Sequence, residues 1–312
     1  MHHSHSVPLT VIGGFLGAGK TTLLNAMLEQ AEGRRIAVLV NDFGDLQIDA
    51  ALISKRSATT IGLRNGCVCC SLAGGLVNAL TEALALDPPP DHVVVEASGV
   101  SDPRRIAQVA RTGAGFSPEA TVVVVAADQI EALAGDRYVA DTVMAQLAAA
   151  DLLILNKIDR VDQTCKQRVL EWLRGRAPRV TLIEARHSDV PIEVTLGSTM
   201  SLDSLEGVIE SDHSDRFTAR VLRSFAPIDE TKLHEVLNQF PPCVLRFKGF
   251  VRLDSDPQRL RLIQGVGSRW TITAADRVIE QDGSALAVIG VKELLTDRKL
   301  TRLQELFEAA PN

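Results

Sequence analysis

Short apolar runs alternate with longer amphipathic stretches along the first two-thirds of the chain. The runs consist largely of Val, Ile and Leu and predict strands at 7–12, 35–40, 93–96, 121–126, 151–155 and 180–183. The stretches between them repeat apolar residues at helical spacing and predict helices at 21–32, 72–86, 102–111, 136–149 and 162–174. Nearly continuous apolar strands suit a sheet that helices cover on both faces. The order therefore predicts an α/β fold with a doubly wound, mostly parallel sheet.

The pattern changes after residue 197. Residues 198–216 are rich in Ser and Asp and lack a buried-strand pattern, which is typical of a linker. Strands are then predicted at 217–225, 244–253, 261–264, 269–273 and 285–289, with helices at 229–240 and 291–309. Because these elements do not alternate regularly, they predict a second, smaller α+β domain. The predicted organisation is a domain at 1–197, a linker at 198–216 and a domain at 217–312.

Composition and charge narrow the class of protein. The 312 residues are 46% hydrophobic and 23% charged, which is ordinary for a globular chain. A net charge of -6 argues against binding along a nucleic-acid backbone. No apolar run approaches the roughly 18 residues of a membrane helix, and the first residues do not resemble a signal peptide. We expect a cytoplasmic protein that binds neither nucleic acid nor membranes.

A glycine-rich segment, GFLGAGKT, follows the first predicted strand and precedes an amphipathic helix. In this context the spacing G-x-x-x-x-G-K-T predicts a phosphate-binding loop. Its backbone N–H groups cradle phosphate oxygens, its Lys reaches the β- and γ-phosphates, and its Thr hydroxyl can ligate Mg²⁺. The lysine is also assigned a catalytic role. The predicted nucleotide-binding residues are Gly14, Gly17, Ala18, Gly19, Lys20, Thr21 and Thr22.

A carboxylate, Glu96, ends the strand predicted at 93–96, and Gly99 follows it. A carboxylate at this end of an apolar strand holds Mg²⁺ through water in nucleotide-binding folds. We therefore predict that Thr21 and Glu96 form a magnesium site and that Gly99 lets the backbone approach the γ-phosphate. The alternative is that Glu96 is a surface charge at the end of a strand.

The sequence NKID follows the strand predicted at 151–155. The Asp159 carboxylate can accept hydrogen bonds from guanine N1–H and N2–H₂, donors that adenine does not have at these positions. Asn156 can bond the base edge, and the stem of Lys157 can lie across its face. The predicted nucleotides are therefore GTP and GDP rather than adenine nucleotides.

Three of the five cysteines, Cys67, Cys69 and Cys70, lie within four residues just before a predicted helix. Thiolates are the ligands that Zn²⁺ and Cu⁺ prefer, and three of them leave a tetrahedral ion one ligand short. Water, a partner's residue or Asp45 can complete the set, and a missing ligand suits a site that hands its metal on. Buried hydrophobic cysteines and a redox sensor are the alternatives. The isolated cysteines are expected in the core: Cys165 and Cys243.

The chain begins with three histidines, His2, His3 and His5. A metal-binding tail and a terminus without function, including a cloning remnant, are both compatible with this pattern.

Several of these segments together resemble one family, the CobW-like GTPases. They are GGFLGAGKTTLLN (13–25), VNDFGDLQID (40–49), NGCVCCSL (65–72), VVVEASGVSDP (93–103) and LILNKID (153–159). Members are metallochaperone-class GTPases related to the nickel-insertion GTPases of urease and hydrogenase. The segment 244–251 is also similar to the family's C-terminal domain.

The resemblance implies a slow GTPase whose nucleotide state is coupled to a transition metal at the cysteine cluster. Zn²⁺ is the first choice of metal, with Co²⁺ or Fe²⁺ as alternatives. The metal would pass to a client metalloprotein that the C-terminal domain recognises. Two other functions stay open: an activator for cobalamin synthesis or nitrile hydratase, and a metal buffer or thiol sensor without catalysis. The sequence also leaves a homodimer open.

The resemblance extends to further residues. The family's usual N-E-F-G-E is N-D-F-G-D here, so the carboxylates of Asp42 and Asp45 are each one methylene shorter. Glu96, Asp42 or Asp45 is expected to position the attacking water. The segment EARH is similar to the family's last guanine-contacting loop, which adds Arg186 and His187 to the nucleotide site.

Overall fold

The computed structural model describes residues 6–31, 33–40, 58–62, 72–112, 115–197, 216–275 and 283–308. Within the chain, two compact units comprise residues 1–196 and 197–312. The predicted linker, apart from Arg216, lies outside the described residues, and so do the three N-terminal histidines. The predicted domain bounds stay a prediction.

One sheet of the first unit contains seven strands within the described part of the chain. They are β1 (Val7–Gly13), β2 (Ile36–Val40), β3 (Ala58–Gly62), β4 (His92–Glu96), β5 (Phe116–Ala126), β6 (Leu152–Asn156) and β7 (Thr181–Glu184). Their order is β3-β2-β4-β1-β5-β6-β7, and every neighbouring pair is parallel. The predicted parallel sheet is thus confirmed. Strand β5 begins earlier than predicted because Phe116 to Pro118 pair with Val7 to Leu9 of β1.

Helices connect these strands. They are α1 (Lys20–Glu29), α2 (Leu72–Leu84), α3 (Pro103–Thr112), α4 (Ile130–Gly135), α5 (Ala140–Ala149), α6 (Gln163–Arg176) and α7 (Ile192–Thr195), with a 3₁₀ turn at Ile158–Arg160. The helix predicted at 136–149 begins only at Ala140. Its predicted first residue, Asp136, instead accepts hydrogen bonds from the backbone N–H groups of Tyr138 and Val139, at 2.8 and 3.3 Å. Such a side chain-to-backbone turn competes with helix formation.

The sheet carries the core of the first unit. Every residue of β4 and of β6 is buried, so both faces of these strands are covered, as expected of a doubly wound α/β fold. Apolar residues of α2 and α3 pack with β1, β2 and β4. A second cluster joins α4, α5 and α6 to β5 and β6. The buried sheet holds the strand ends, where the chemistry is expected, in fixed positions.

The second unit is an antiparallel sheet with helices, which confirms the predicted α+β class. Its described elements are β8 (Phe217–Ser224), α8 (Glu230–Asn238), β9 (Val244–Leu253), β10 (Asp256–Val266), β11 (Arg269–Ala274), β12 (Ser284–Val291) and α9 (Asp297–Glu308). The strand order is β11-β10-β9-β12-β8. Phe247 and Phe307 are its largest fully buried side chains. Cys243 lies in this core as expected, and burial raises the pKa of its thiol.

Neither unit has, among its described residues, a helix that is long and apolar enough to span a membrane.

Candidate nucleotide-binding site

The loops that follow β1, β4, β6 and β7 leave the same edge of the parallel sheet. Strand β1 lies between β4 and β5, with β2, β3 and β4 on one side of it and β5, β6 and β7 on the other. Open α/β sheets bind ligands at such a switch point, beyond the carboxyl ends of the strands. The predicted nucleotide-binding residues that the structure describes lie on these loops, on the first turn of α1 or, for Asn156, at the end of β6.

The loop after β1 depends on glycine at two positions. Gly14 has a φ of 134°, and a Cβ there would lie 2.2 Å from the carbonyl oxygen of Val124. Gly19 has a φ of 111°, and a Cβ there would lie 2.4 Å from Nδ2 of Asn156. Any larger residue would collide with β5 or with the amide of Asn156. The predicted phosphate loop therefore needs its glycines for backbone conformation and close packing as well as for exposing N–H groups.

Lys20 begins helix α1, directly after Gly19. Its side chain is buried, and Nζ donates to the carbonyl oxygen of Phe15 at 3.4 Å, so the ammonium lies over its own loop. A helix N-terminus attracts anions through its unbonded N–H groups and its dipole. Ammonium, loop backbone and helix terminus thus provide a positive site that suits a phosphate chain.

Thr21 and Glu96 meet at the base of this loop. The Thr21 hydroxyl donates to Oε1 of Glu96 at 2.9 Å, and Glu96 is only 2% exposed. Burial excludes the alternative that Glu96 is a surface charge. Hydroxyl and carboxylate oxygens are ligands that Mg²⁺ accepts, either directly or through water. The pair therefore fits the predicted magnesium site.

Glu96→Gln is expected to raise the Mg²⁺ concentration that half-saturates GTP binding by about tenfold, in the range for residues that orient a metal's ligands. The amide keeps the size of the side chain but loses the negative charge that favours the cation. The measurement is a Mg²⁺ titration with a fluorescent GTP analogue. Glu193→Gln is the matched control, since Glu193 pairs with Arg34, at 3.3 Å, and lies on helix α7. An unchanged Mg²⁺ requirement in Glu96→Gln would show that Glu96 does not belong to the magnesium site.

The loop after β4 lies directly against the phosphate loop. A Cβ on Gly99 would lie 2.9 Å from the backbone nitrogen of Leu16 and 2.5 Å from its Cδ2. The loop is also closed on itself, because the N–H and the hydroxyl of Ser101 both donate to the carbonyl oxygen of Ser98, at 3.0 and 2.9 Å. Gly99 is thus held next to the phosphate loop, as its predicted approach to a γ-phosphate requires.

Asp102 ends this loop and precedes helix α3. Its carboxylate accepts hydrogen bonds from the backbone N–H of Arg104 at 3.0 Å and from the Arg104 guanidinium at 3.0 to 3.2 Å. Burial disfavours the charged form, but the hydrogen bonds from Arg104 outweigh it and lower the pKa of Asp102. The ionised side chain therefore fixes the junction between the loop and α3.

Asn156, the last residue of β6, joins two loops. Its Nδ2 donates to the carbonyl oxygen of Ala18 at 3.0 Å and to Oγ of Ser188 at 2.8 Å, and its Oδ1 accepts from the Ser188 N–H at 2.7 Å. The Ser188 hydroxyl in turn donates to the carbonyl oxygen of Gly19 at 3.0 Å. Both amide hydrogens are used within the protein, so only a lone pair of Oδ1 is left for the predicted contact with a base. In the structure Asn156 braces the phosphate loop against the loop after β7, and its predicted base contact stays a prediction.

Ser188 belongs to this network but is not indicated by any sequence motif. His187 and Ser188 both have positive φ angles, 52° and 57°, which are uncommon for residues other than glycine. Such backbone costs about 1–3 kcal/mol per residue and persists where the surroundings enforce it. At Ser188 this conformation accompanies two hydrogen bonds to Asn156 and one to Gly19. Its only sequence signal is its place directly after the predicted base-contacting loop.

The other predicted base contacts face solvent around this network. Lys157 is half-buried with a φ of 60°, and Asp159 is exposed on the 3₁₀ turn that follows. Arg186 and His187 are exposed on the loop after β7. A base entering from solvent would meet these side chains first.

Asp42, Asp45, Cys67, Cys69 and Cys70 lie outside the described residues, so their predicted roles stay predictions. The described segments contain no group of three or more His, Cys, Asp or Glu residues that could hold a metal ion. Thr22 is exposed on the first turn of α1.

Comparison with known proteins finds a matching family model for each of the two units. The family model "CobW/HypB/UreG, nucleotide-binding domain" matches residues 8–184, and "Cobalamin synthesis protein cobW C-terminal domain" matches residues 217–310. A zinc chaperone CobW of Sinorhizobium sp is 32% identical, over 92% of this chain and 94% of that protein. A zinc chaperone CobW of Pseudomonas aeruginosa is 33% identical, over 85% and 81%. The zinc chaperone YjiA of Escherichia coli is 31% identical, over 92% and 94%. The chain therefore belongs to the CobW/HypB/UreG family of nucleotide-binding proteins.

Proposed function

We propose that this protein is a GTP-hydrolysing metallochaperone that binds Zn²⁺ at Cys67, Cys69 and Cys70 and transfers it to a client protein under the control of the bound nucleotide. The phosphate loop, the Thr21–Glu96 pair and the NKID sequence support binding of GTP. Zinc is supported by the three relatives, each of which is named a zinc chaperone.

In this proposal the chain's own groups bind and orient GTP. Lys20, the loop N–H groups and the α1 terminus hold the β- and γ-phosphates, while Asp159 selects guanine. Thr21 and Glu96 would hold Mg²⁺, which when bound neutralises charge on the phosphate oxygens. A carboxylate of Glu96, Asp42 or Asp45 positions water, whose oxygen bonds to the γ-phosphorus as the bond to GDP breaks. Turnover on the order of 10⁻⁴ to 10⁻² per second is expected, as for unassisted GTPases.

The observation that carries the coupling is the register of three neighbouring strands. Val40, the last residue of β2, pairs with Glu96 of β4 and with Gly62, the last residue of β3. The segments that carry Asp42 and Asp45 and the three cysteines therefore continue from strands that end level with the predicted magnesium carboxylate. In GTPases the γ-phosphate orders such segments, and its loss releases them. The affinity for a metal bound there would thus depend on whether GTP or GDP is bound.

The test compares Zn²⁺ affinity of the full chain, without a histidine tag, in complexes with GDP and with a non-hydrolysable GTP analogue. We expect at least about a tenfold difference, with weaker binding in the GDP complex, because a ligand shifts an equilibrium only through differential affinity. Equal affinities would contradict the coupled chaperone and leave a metal buffer. Stronger coupling to Co²⁺ or Fe²⁺ would instead indicate a cofactor-pathway activator.

Cys69→Ser should abolish metal-stimulated GTP hydrolysis while leaving GTP binding intact. Cys165→Ser is the matched control, because Cys165 lies on α6 with its backbone N–H bonded to Asp162 and its side chain only partly exposed. Persistent stimulation in Cys69→Ser would show that the coupled metal binds elsewhere.

A further inference from the structure

Helix α5 has a buried polar side chain, Gln146, to which no catalytic or binding role has been assigned above. The buried residues of this helix are Val143, Gln146 and Leu147, and Gln146 is 2% exposed. Its Nε2 donates to the carbonyl oxygen of Gly99 at 3.0 Å and to that of Ser101 at 3.1 Å. Both hydrogens of the amide are therefore directed at the loop after β4.

This loop is held from two sides. On one side Gly99 packs against Leu16 of the phosphate loop so closely that a Cβ would lie 2.9 Å from the Leu16 backbone nitrogen. On the other side the amide of Gln146 bonds the two carbonyl oxygens. Between these supports, Ser101 closes the turn onto Ser98. Gln146 thus supplies one of the two supports that hold Gly99 beside the phosphate loop.

The surroundings of Gln146 make its hydrogen bonds hard to replace. The side chain lines a small cavity between the phosphate loop, β5 and helices α4 and α5. The other walls are mostly apolar and include Phe15, Ile130, Val143 and Leu147. A carbonyl oxygen that loses its donor in apolar surroundings is left without compensation. An apolar side chain at position 146 would therefore release the loop.

We infer that Gln146 is a positioning residue for recognition of the γ-phosphate: by fixing the Gly99 carbonyl it presents the Gly99 backbone to the terminal phosphate of GTP and links that contact to helix α5. The inference rests on the proposed function, in which GTP and GDP are the ligands. GDP has no γ-phosphate, so its affinity should depend little on where Gly99 lies. GTP should bind more weakly when the loop must be ordered by the ligand itself.

The experiment uses the full chain with Gln146→Met, which keeps the length of the side chain and removes its donors. Dissociation constants are measured for GDP and for a non-hydrolysable GTP analogue, together with single-turnover GTP hydrolysis. We expect the GDP constant to stay within about twofold and the analogue constant to rise about tenfold, as for loss of one or two buried hydrogen bonds. Hydrolysis should slow at least as much. Gln129→Met, at an exposed residue lining the same cavity, is the matched control and should change neither constant.

A second variant, Gln146→Asn, keeps the amide but is one methylene too short to reach both carbonyl oxygens. It should raise the ratio of the dissociation constant of the GTP analogue to that of GDP, as Gln146→Met does. Equal weakening of both nucleotides, or no weakening, would overturn the inference, and so would failure of both variants to fold, because the role would then be structural. If the unaltered protein did not bind GTP, the proposed function itself would fail, which is a separate outcome from an unchanged ratio in a GTP-binding protein.

Discussion

Lys20→Ala is expected to slow GTP hydrolysis by about 10²–10³-fold, the effect of removing one preorganised charge-stabilising donor from an active site. The ammonium is the positive side chain that the structure places over the phosphate loop, with Nζ 3.4 Å from the carbonyl oxygen of Phe15. Without it, among the described residues named above, the helix terminus and the loop N–H groups would be left to face the phosphate charge. Phosphate release in single-turnover reactions measures the rate, and displacement of a fluorescent nucleotide measures the accompanying loss of affinity.

The folded state should tolerate Lys20→Ala. Lys20 is 8% exposed, and burying an ammonium carries a desolvation cost, so its removal offsets part of the packing that is lost. The thermal midpoint without nucleotide should therefore stay close to that of the unaltered chain, whereas the stabilisation that added GDP gives should shrink. Lys232→Ala, on helix α8 of the second unit, should leave both hydrolysis and affinity unchanged. Normal hydrolysis by Lys20→Ala would show that the phosphate loop was misassigned.

Local patterns made much of the first unit predictable. Strand β1, the phosphate loop and α1 follow one another without a gap, and both strand composition and glycine spacing point to the same arrangement. Strand β3 was missed, because its sequence ATTIG has a single large apolar residue and no alternation. Its pairing with β2 is a tertiary property, and short edge strands of this kind carry weak sequence signals.

The parts of the site that could not be predicted depend on residues far apart in sequence. The amide of Asn156 is satisfied by Ser188, 32 residues away, and the carbonyl of Gly99 by Gln146, 47 residues away. The NKID motif predicts a base contact for Asn156, but nothing in the motif indicates that its amide bonds the phosphate loop. Likewise, a serine with positive φ has no local signal, because the surrounding hydrogen bonds enforce that conformation. The sequence motifs therefore predict the chemical groups of the site, whereas the hydrogen bonds that hold those groups in place are visible only in the structure.

Gln30 makes another contact that the sequence does not predict, at the other end of the base-contacting loop. Its Oε1 accepts from the backbone N–H of Ile192 at 3.0 Å, and its Nε2 donates to the carbonyl oxygen of Val190 at 3.4 Å. Gln30, the first residue after helix α1, thus bonds the end of this loop, and Asn156 bonds Ser188 nearer its beginning. Hydrogen bonds at both ends thus connect the base-contacting loop to the phosphate loop and to the end of helix α1.

Asn156→Asp is expected to destabilise the protein by about 3 kcal/mol. The substitution replaces the amide nitrogen and its two buried N–H donors with an oxygen that can only accept hydrogen bonds. In the folded chain Nδ2 lies 3.0 Å from the carbonyl oxygen of Ala18 and 2.8 Å from Oγ of Ser188. A carboxylate oxygen in its place would repel the carbonyl and add an unfavourable buried charge. For a unit of this size the thermal midpoint should fall by roughly 6–12 °C. Affinities for GTP and GDP should fall together, since Ala18 and Gly19 belong to the phosphate loop.

Asn78→Asp is the matched control, since it makes the same change at an exposed position of α2 and should alter stability by no more than about 0.5 kcal/mol. Ser188→Ala completes a double-mutant cycle. If Asn156 and Ser188 form one brace, the combined variant should lose clearly less stability than the sum of the single losses, because the first change already breaks shared hydrogen bonds. Additive losses would mean that the two side chains act independently. Reduced affinity for both nucleotides with unchanged stability would instead assign Asn156 to a contact with the base rather than to the loop.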